Sequence, residues 1–386
     1  MAISAVALCA IGAEKTLSNE LRKMGFSIEA GGFGRVKYKS DIEGLYRSLM
    51  GLRTADRVLL ELAFFDAIDF DALFDGVSNV PWEEYIAEGM GLKVSKVRTS
   101  RSKLGAETSI QAVVHKAAAQ RLCSKRGLNR LPSEQGIDEA DLRVHIEKNL
   151  VSVLLDLSGE PLFKRGYRAS GGPAPLRETT AAAIMLLSGW KRKFPLYDPF
   201  CGSGTIAIEA ALYAWDIAPG LGRRFFLDKL PLGNRDLEHK VREEFFKKVD
   251  FSRLVRIYGS DSDATIVASA RSNLMRALGL LGYDLSRLNP VNEPLFKVLA
   301  IENVLPLDLE TKGFIITNPP YGRRLGDVEA AEKIYMELGK LSRKFKGWKL
   351  AFITDHPGFE SFFGKNADSC REISNGAIQT YLYQYN

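Results

Sequence analysis

The hexapeptide 317–322, Thr-Asn-Pro-Pro-Tyr-Gly, has the residue types with the most specific chemistry in the chain. It follows the apolar run 313–316, which is typical of a buried parallel strand, and its two prolines end that strand and stiffen the turn. The Asn318 side chain and a prolyl carbonyl could accept the hydrogens of a planar amine while the Tyr321 ring stacks on its face. Because Asn-Pro is also a common turn dipeptide, the motif alone fits an amine clamp and an ordinary turn equally well.

A second candidate lies at 198–205, Asp-Pro-Phe-Cys-Gly-Ser-Gly-Thr, between a predicted strand and a predicted helix. Glycines let a ligand approach the backbone, and the helix N-terminus supplies free amides. A nicotinamide fingerprint would need a third glycine where Ile208 stands, and Asp198 would repel a pyrophosphate. An acid beside the loop suits a ligand with an ammonium group, such as S-adenosylmethionine, although a plain βα turn is the alternative. The expected cofactor-binding residues here are Asp198, Phe200, Cys201, Gly202, Ser203, Gly204 and Thr205.

Two more polar turns follow predicted strands. Asp261, with Ser262 beside it, comes at the end of strand 255–260 and could accept both ribose hydroxyls of a nucleoside, whereas Asp263 could cap the next helix. Either Glu302 or Asn303, after strand 295–301, could accept an adenine amino group or simply lie on a loop surface. Cys201 could be a thiolate nucleophile. Because it lies in the glycine loop, away from the Asn-Pro-Pro-Tyr turn, a small filler is the better interpretation.

Bulk composition indicates a globular protein of two or three domains, because 386 residues exceed one compact core. No apolar run approaches the roughly 20 residues of a membrane span. The four cysteines are scattered without a CxxC pair and there are four histidines, so neither a disulfide framework nor a metal site is expected. We expect a cytoplasmic protein without a membrane partner. A net charge of +6 permits a nucleic-acid partner without demanding one.

The elements that must position these residues follow residue 175. Predicted strands at 196–200, 255–260, 295–301, 313–317 and 349–354 alternate with helices, and a hairpin ends the chain. This alternation of strands and helices predicts an α/β domain with a parallel sheet, in which ligands bind at the carboxyl ends of the strands. Residues 218–250 do not fit the alternation, and the sequence leaves their role open.

The first 165 residues have a mixed α+β pattern. Segment 92–103 carries five basic residues and no acid, and Arg121, Lys125, Arg126 and Arg130 follow on the next predicted helix. Either cluster alone could be a solvated surface, but two in one small domain favour contacts with phosphates. The Gly- and Pro-rich stretch 163–175 predicts a linker and a domain boundary.

Together, the motifs at 198–205, 259–263 and 317–325 resemble motifs I, II and IV of class I S-adenosylmethionine-dependent methyltransferases. Segments 163–168, 175–183 and 218–221 narrow the resemblance to the THUMP-domain RNA guanine-N2 methyltransferases of the bacterial 23S (large-subunit) ribosomal RNA type. The resemblance spans nearly the whole chain. The sequence departs from the family around Glu302, where an Asp-containing motif is missing, so the adenine contact stays open.

The resemblance implies a ferredoxin-like segment over 1–57, a THUMP RNA-binding domain over 58–165 and a Rossmann-like methyltransferase domain over 166–386. The last would have a seven-stranded sheet whose last strand is antiparallel. It also implies methylation of guanine N2 in 23S ribosomal RNA or the assembling large subunit. The implied catalytic residues are Asn318, Pro319, Pro320 and Tyr321, with Asn318 also beside the cofactor. Three alternatives share these motifs: a THUMP-type tRNA guanine-N2 methyltransferase, an N6-adenine DNA methyltransferase and a non-catalytic RNA-binding factor.

Overall fold

The computed structural model describes residues 3–132, 136–168, 176–282, 294–306, 312–322 and 327–386. The elements of the N-terminal half are β1 (Ile3–Cys9), α1 (Glu14–Lys23), β2 (Ile28–Gly32), β3 (Arg35–Ser40), α2 (Ile42–Gly51), β4 (Ala55–Asp66), α3 (Phe70–Ser78), α4 (Trp82–Tyr85), β5 (Gly91–Ser100), α5 (Glu107–Arg126), β6 (Glu139–Glu147) and β7 (Leu150–Asp156). Those of the C-terminal half are α6 (Glu178–Leu187), β8 (Leu196–Asp198), α7 (Thr205–Ala214), α8 (Arg235–Phe246), β9 (Ile257–Asp261), α9 (Ala264–Gly279), β10 (Leu295–Val298), β11 (Phe314–Thr317), α10 (Asp327–Lys344), β12 (Lys349–Thr354), α11 (Phe359–Phe363), β13 (Ser369–Asn375) and β14 (Ile378–Tyr385).

One seven-stranded sheet spans the N-terminal half, in the order β2-β3-β1-β4-β7-β6-β5. Strand β4 holds this sheet together because its first part pairs with β1 and its second part pairs with β7. The boundary predicted between residues 57 and 58 therefore lies inside β4. The ferredoxin-like segment and the predicted THUMP domain share a continuous backbone ladder, and the division into 1–57 and 58–165 stays a prediction.

The two faces of this N-terminal sheet differ because side chains alternate along each strand. Ala5, Ala7 and Val58 point into the main core, which also contains Leu17 and Leu21 of α1. On the opposite face, a small separate apolar cluster consists of Val6, Leu59 and Leu154, with Leu8 packed against it. Helix α1 thus covers the first face, and the second face carries a different set of residues.

The C-terminal half forms a second seven-stranded sheet, in the order β10-β9-β8-β11-β12-β14-β13. Neighbouring strands from β10 to β12 run parallel, whereas β14 runs antiparallel to both β12 and β13. This arrangement confirms the predicted Rossmann-like α/β fold with an antiparallel last strand. Strand β10 ends earlier than predicted, because residues Ile301–Asn303 turn into a 3-10 helix. In the described part of the chain, no helix combines the length and apolarity that a membrane span requires.

Residues 218–250, whose role the sequence left open, connect the two halves. They contain α8, which lies against α2 of the N-terminal sheet. Lys240 pairs with Glu43 at 2.7 Å, and Glu244 pairs with Arg47 at 2.5 Å. Partly exposed ion pairs of this kind stabilise little on their own. They fix where α8 lies on α2, so the insertion docks one half of the molecule on the other.

Candidate active site

Three of the predicted motifs meet at one edge of the C-terminal sheet. Strands β9, β8 and β11 are neighbours and run parallel, so their last residues Asp261, Asp198 and Thr317 end at the same edge. The Thr317 hydroxyl donates to Asp198 Oδ1 at 2.5 Å, and the Gly202 N–H donates to Asp261 Oδ2 at 3.1 Å. Hydrogen bonds therefore join the glycine loop, the acidic turn after β9 and the end of the strand that precedes the Asn-Pro-Pro-Tyr turn.

Asp198 is a buried carboxyl, only 1% exposed. Burial raises its pKa from 3.8 to about 7, although hydrogen bonds from the Thr317 hydroxyl and the Phe200 N–H act in the opposite direction. Both of these donors bond to Oδ1. Among the described residues, none donates a hydrogen bond to Oδ2. A carboxyl in this state favours a proton or a neighbouring cation, which fits a ligand with an ammonium group.

The glycine loop leads into the N-terminus of α7 with two residues in the left-handed region. Gly204 has a φ of 86°, and a Cβ there would lie 3.1 Å from the Cβ of Ala270 on α9. Gly202 has a φ of 51°, and a Cβ there would meet no atom within 4 Å. Gly204 is thus needed for the loop's shape and its packing on α9. Gly202 instead leaves open space beside Asp261, where a ligand can approach the backbone.

Asp261 already accepts two backbone hydrogen bonds, one on each oxygen. Its Oδ2 accepts from Gly202, and its Oδ1 accepts from the Asp263 N–H at 3.1 Å. Each carboxylate oxygen has a second lone pair, so both can still accept from the hydroxyls of a ribose. Asp263 has the other role that the sequence allowed, because it caps α9 by accepting from the N–H groups of Thr265 and Ile266. Ser262 is exposed.

Glu302 and Asn303 lie on the 3-10 turn that follows β10, and both are exposed. The turn starts close to the site, because the Leu299 N–H donates to the Asp261 carbonyl at 2.9 Å. Either residue stays a candidate for an adenine contact, and the loop-surface interpretation also stays open.

Cys201 is enclosed by the sheet. Burial, reinforced by the charges of Asp198 and Asp261, raises the pKa of its thiol. A Cβ added to Gly259 on β9 would lie 2.9 Å from the Cys201 Cβ, so the two backbones approach closely at this point. These surroundings disfavour a thiolate and support the interpretation of Cys201 as a small filler residue.

The Asn-Pro-Pro-Tyr turn is fixed by hydrogen bonds at both of its ends. The Tyr321 hydroxyl donates to the Asn318 Oδ1 at 2.5 Å, and the buried Tyr335 of α10 donates to the Pro320 carbonyl at 2.8 Å. The Tyr335 hydroxyl also lies 3.0 Å from the Thr354 hydroxyl at the end of β12. Sequence reasoning missed Tyr335, because the pattern placed it only at the start of a predicted helix. Residues 323–325 of the motif lie outside the described residues.

The predicted linker also reaches the site. Arg168 donates to the Thr205 hydroxyl at 2.8 Å and pairs with Glu178 at 3.5 Å. The Tyr167 carbonyl accepts from Arg276 of α9 at 2.8 Å. Tyr167 and Arg168 are therefore bonded to the starts of α6 and α7 and to the last turn of α9, which the Gly/Pro composition of the stretch did not indicate. The linker's remaining residues, 169–175, lie outside the described residues.

The second basic cluster has a structural role that the sequence did not predict. Arg121 pairs with Glu83 at 2.9 Å and donates to the Ser78 carbonyl at 3.0 Å. Arg126 donates to the backbone carbonyls after α4. Both arginines hold α5 on the α3–α4 segment, so for these two the interpretation as phosphate contacts is not supported.

These groups fit S-adenosylmethionine, with a buried carboxylate for an ammonium and an acid for a ribose. Among the described residues of the loop, the Ser203 and Thr205 amides are not already bonded and can serve a carboxylate. The family model of UPF0020, described as an RMKL-like methyltransferase domain, matches residues 165–384. A model of the RlmL ferredoxin-like domain matches residues 4–59. The first match spans more than half of the chain, and the second corresponds to the predicted ferredoxin-like segment.

Two sequence relatives and one solved structure are similar to this chain over nearly its whole length. "Putative RNA methyltransferase YpsC" from Bacillus subtilis (strain 168) is 34% identical over 98% of this chain and 95% of its own. "Ribosomal RNA large subunit methyltransferase K/L" from Syntrophotalea carbinolica is 34% identical over 97% of this chain, which spans only 52% of that relative. A solved structure of "SMU.472, a putative methyltransferase complexed with SAH" is 35% identical with a TM-score of 0.85, covering 100% of this chain and 98% of its own.

These likenesses confirm the predicted methyltransferase activity and its cofactor, S-adenosylmethionine. They extend over both sheets, since the RlmL-type match lies in the first sheet and the methyltransferase match in the second. The residues that form the site at the edge of the second sheet all lie inside the methyltransferase match. The chain belongs to the UPF0020 family of RMKL-like methyltransferases.

Proposed function

We propose that this enzyme methylates the exocyclic N2 of a guanine in 23S ribosomal RNA. The observation that supports it most is the meeting of Asp198, Asp261 and the Asn318 turn at one edge of the sheet. That edge combines a cofactor cradle with an amine acceptor. The printed names of the relatives, an RNA methyltransferase and a large-subunit ribosomal RNA methyltransferase, support RNA as the substrate class. Such an enzyme would act in the cytoplasm, where the large subunit assembles.

The proposed cofactor contacts follow from the donor set. Asp198 would hold the ammonium group, and Asp261 would accept the ribose hydroxyls. In the loop from Phe200 to Thr205, four amides already donate within the protein, so Ser203 and Thr205 would offer theirs to the carboxylate at the α7 N-terminus. When bound, S-adenosylmethionine supplies the methyl group from a cationic sulfur. The chain's own contribution is therefore to orient the acceptor amine toward that methyl group.

Asn318 would accept one hydrogen of the target amine, and the Pro319 carbonyl would accept the other. The Asn318 oxygen that this requires is now bonded to the Tyr321 hydroxyl at 2.5 Å. A bound base would take over that acceptor, and the released Tyr321 ring would stack on the base. Pro320 stays in place because Tyr335 holds its carbonyl. The N–C bond forms as the S–C bond breaks, and the proton of the amine leaves to water. Positioning supplies much of the barrier reduction.

The N-terminal half would deliver the RNA. We propose that it consists of the ferredoxin-like segment 1–57 and a THUMP domain over 58–165, although the two share strand β4. A guanine inside a helix cannot present its amine in line with the methyl group, so the base must be unstacked. The docking of α8 on α2 gives the two halves a fixed relation during this delivery.

The substrate is tested with labelled S-adenosylmethionine and purified ribosomal RNA, transfer RNA and DNA, followed by mass spectrometry of the nucleosides. We expect N2-methylguanosine in large-subunit RNA, taken from a strain that lacks the gene. The same product in transfer RNA alone would move the substrate to the THUMP-type tRNA class. N6-methyladenine in DNA would refute the proposal.

Asn318→Ala tests the amine clamp. We expect methyl transfer to fall by roughly 100-fold or more, because one positioned acceptor is lost. Affinity for S-adenosylhomocysteine in calorimetry should stay within about threefold, since the main cofactor contacts remain. Asn19→Ala, at an exposed position of α1, is the matched control. Intact turnover in Asn318→Ala would show that the clamp is not the catalytic device.

A further inference from the structure

A cleft of about 470 Å³ lies between the open face of the N-terminal sheet and the C-terminal half. Its walls come from strands of that face on one side, and from the start of α6 and the β13–β14 turn on the other. We call it the basic cleft, because its lining includes six cationic side chains: Arg35, Arg57, Lys96, Arg98, Arg143 and Arg177. Asp56 is the only acidic residue among the described residues that line it. The volume is typical of a pocket that binds a group of nucleotide size.

Neighbouring carboxylates neutralise some of these cations. Arg35 pairs with Glu147 at 2.8 Å, and Arg177 pairs with Asp56 at 3.0 Å. Asp156 forms ion pairs with both Arg57 and Arg143.

Lys96 and Arg98 differ from the four paired arginines in having no carboxylate partner in the described part of the chain. Both are exposed on the edge strand β5, and within the described ranges neither has a carboxylate at ion-pair distance. His145 stays neutral between the arginines, because burial and the charges of Arg35 and Arg98 lower its pKa to about 4. The cleft therefore holds an excess of positive charge, and the unpaired part of it lies on β5.

An aromatic ring stands at the rim of the cleft. Phe33, in the β2–β3 turn, is 85% exposed and has a φ of 41°, which is rare for a residue other than glycine. The turn is nevertheless firmly held. Glu14 accepts from the Gly34 N–H at 2.7 Å and from the Gly12 N–H at 2.9 Å. A rigid turn that presents a large apolar ring to solvent indicates a binding role for the ring.

The two walls of the cleft are joined by two hydrogen bonds between Ile11 and Ser374. The Ser374 N–H donates to the Ile11 carbonyl at 3.0 Å, and the Ile11 N–H donates to the Ser374 hydroxyl at 2.9 Å. Next to them, a Cβ on Gly12 would lie 2.0 Å from the Glu372 carbonyl oxygen, so only glycine allows this approach. The cleft is thus a preformed feature of the whole chain and involves both sheets.

We propose that the basic cleft binds a single-stranded segment of the RNA substrate, with Lys96 and Arg98 contacting phosphates and a base stacked on Phe33. This rests on the proposed function, since it takes RNA as the substrate. A positive groove combined with an exposed aromatic ring is the arrangement that binds single strands, because every base has a face that can stack. A duplex keeps its base faces stacked on one another and cannot offer one to Phe33.

The test measures binding of a fluorescently labelled single-stranded oligoribonucleotide of about 12 nucleotides, a length chosen to exceed one single-strand binding site. The double variant Lys96→Ala/Arg98→Ala should bind roughly 10- to 30-fold more weakly at 0.1 M salt, because two phosphate contacts are lost. The slope of log affinity against log salt should also fall by about 1.4. The matched control is Lys15→Ala/Arg22→Ala, which removes the same charges from α1 on the other face of the sheet. This control should bind like the natural protein.

The ring is tested separately. Phe33→Ala should weaken binding by roughly fivefold or more, and Phe33→Trp should restore it, because stacking needs an aromatic face and no particular base. Equal binding by the Lys96/Arg98 variant and its control would overturn the proposal. A loss of affinity for an RNA duplex as large as that for the single strand would overturn it as well.

Methyl transfer to RNA and calorimetry with S-adenosylhomocysteine, on the same preparations, separate this inference from the proposed function. If the natural protein methylates no RNA but the cleft variants still lose single-strand binding, the proposed function fails and the cleft stands. If it methylates RNA and the cleft variants bind like the control, only the cleft assignment fails.

Discussion

Ionisation of Asp198 should control the affinity for the cofactor near neutral pH. The carboxyl has a pKa of about 7 in the folded protein, against 3.8 for the free group, because it is buried. If the ammonium group of the ligand binds the ionised form, about one tenth of the protein is competent at pH 6 and about nine tenths at pH 8. The dissociation constant of S-adenosylhomocysteine should therefore be roughly tenfold higher at pH 6 than at pH 8.

The assay is isothermal titration calorimetry at constant ionic strength between pH 6 and pH 8. Asp198→Asn should weaken binding at pH 8 and remove the pH dependence. Thr317→Val should shift the inflection to higher pH, because the Thr317 hydroxyl lowers the pKa of Asp198 through its hydrogen bond. 5′-Methylthioadenosine, which lacks the amino-acid end, is the matched ligand control and should bind equally at each pH. The reasoning is refuted if the control shows the same change, or if S-adenosylhomocysteine shows none.

The same shift has a consequence for stability, with a defined sign. The folded-state pKa lies above that of the unfolded chain, so the folded protein binds this proton more tightly. The contribution of Asp198 to the free energy of unfolding is therefore complete below about pH 3.8 and is lost as the pH rises through about 7. A bound ammonium group would offset that loss. Thermal unfolding should accordingly show more stabilisation by the ligand at pH 8 than at pH 6.

Four further substitutions distinguish roles within the site. Gly204→Ala should lower the free energy of unfolding by roughly 1–3 kcal/mol, since its φ of 86° is strained for alanine and its Cβ would crowd α9. Compared with Gly204→Ala, Gly202→Ala should lower the free energy of unfolding less and weaken cofactor binding more, because its Cβ fills the open space on the ligand side. Chemical denaturation and calorimetry measure the two effects. A larger loss of stability in Gly202→Ala, or a larger loss of affinity in Gly204→Ala, would contradict this. Tyr335→Phe should lower the rate of a single methyl-transfer turnover by roughly tenfold with cofactor affinity unchanged, because the Pro320 carbonyl is released. Cys201→Ala should retain turnover within about threefold, and a loss of two orders of magnitude would restore the nucleophile interpretation.

Much of the site could be predicted because a parallel sheet has a simple rule of geometry. Strands that alternate with helices end at one edge, so Asp198, Asp261 and Thr317 had to lie together once their strands were recognised. The residue types themselves predicted the roles of Gly204 and Asp263. Gly204 occupies the backbone conformation that only a glycine adopts freely, and Asp263 caps the helix that follows it.

Other features depend on tertiary contacts that no local pattern encodes. Tyr335 is one apolar position among many on α10, and only the packed structure brings its hydroxyl to Pro320. Arg168 lies in a stretch whose glycines and prolines indicated a linker, yet it bonds to Thr205. Arg121 belongs to a basic cluster, but an acid 38 positions earlier takes up its charge. Charge and composition describe a segment, whereas these roles are set by partners distant in sequence.

Strand β4 limits how the protein can be cut into fragments. A fragment that begins at residue 58 would lose the first three residues of the strand, Ala55, Asp56 and Arg57, together with all of β1. The remaining β4 would then present unpaired N–H and C=O groups along one side. An exposed edge of this kind recruits other chains into aggregates. Biochemists who want the N-terminal half alone should therefore keep residues from β1 through β7 in one piece, and should expect an isolated fragment of residues 58–165 to precipitate.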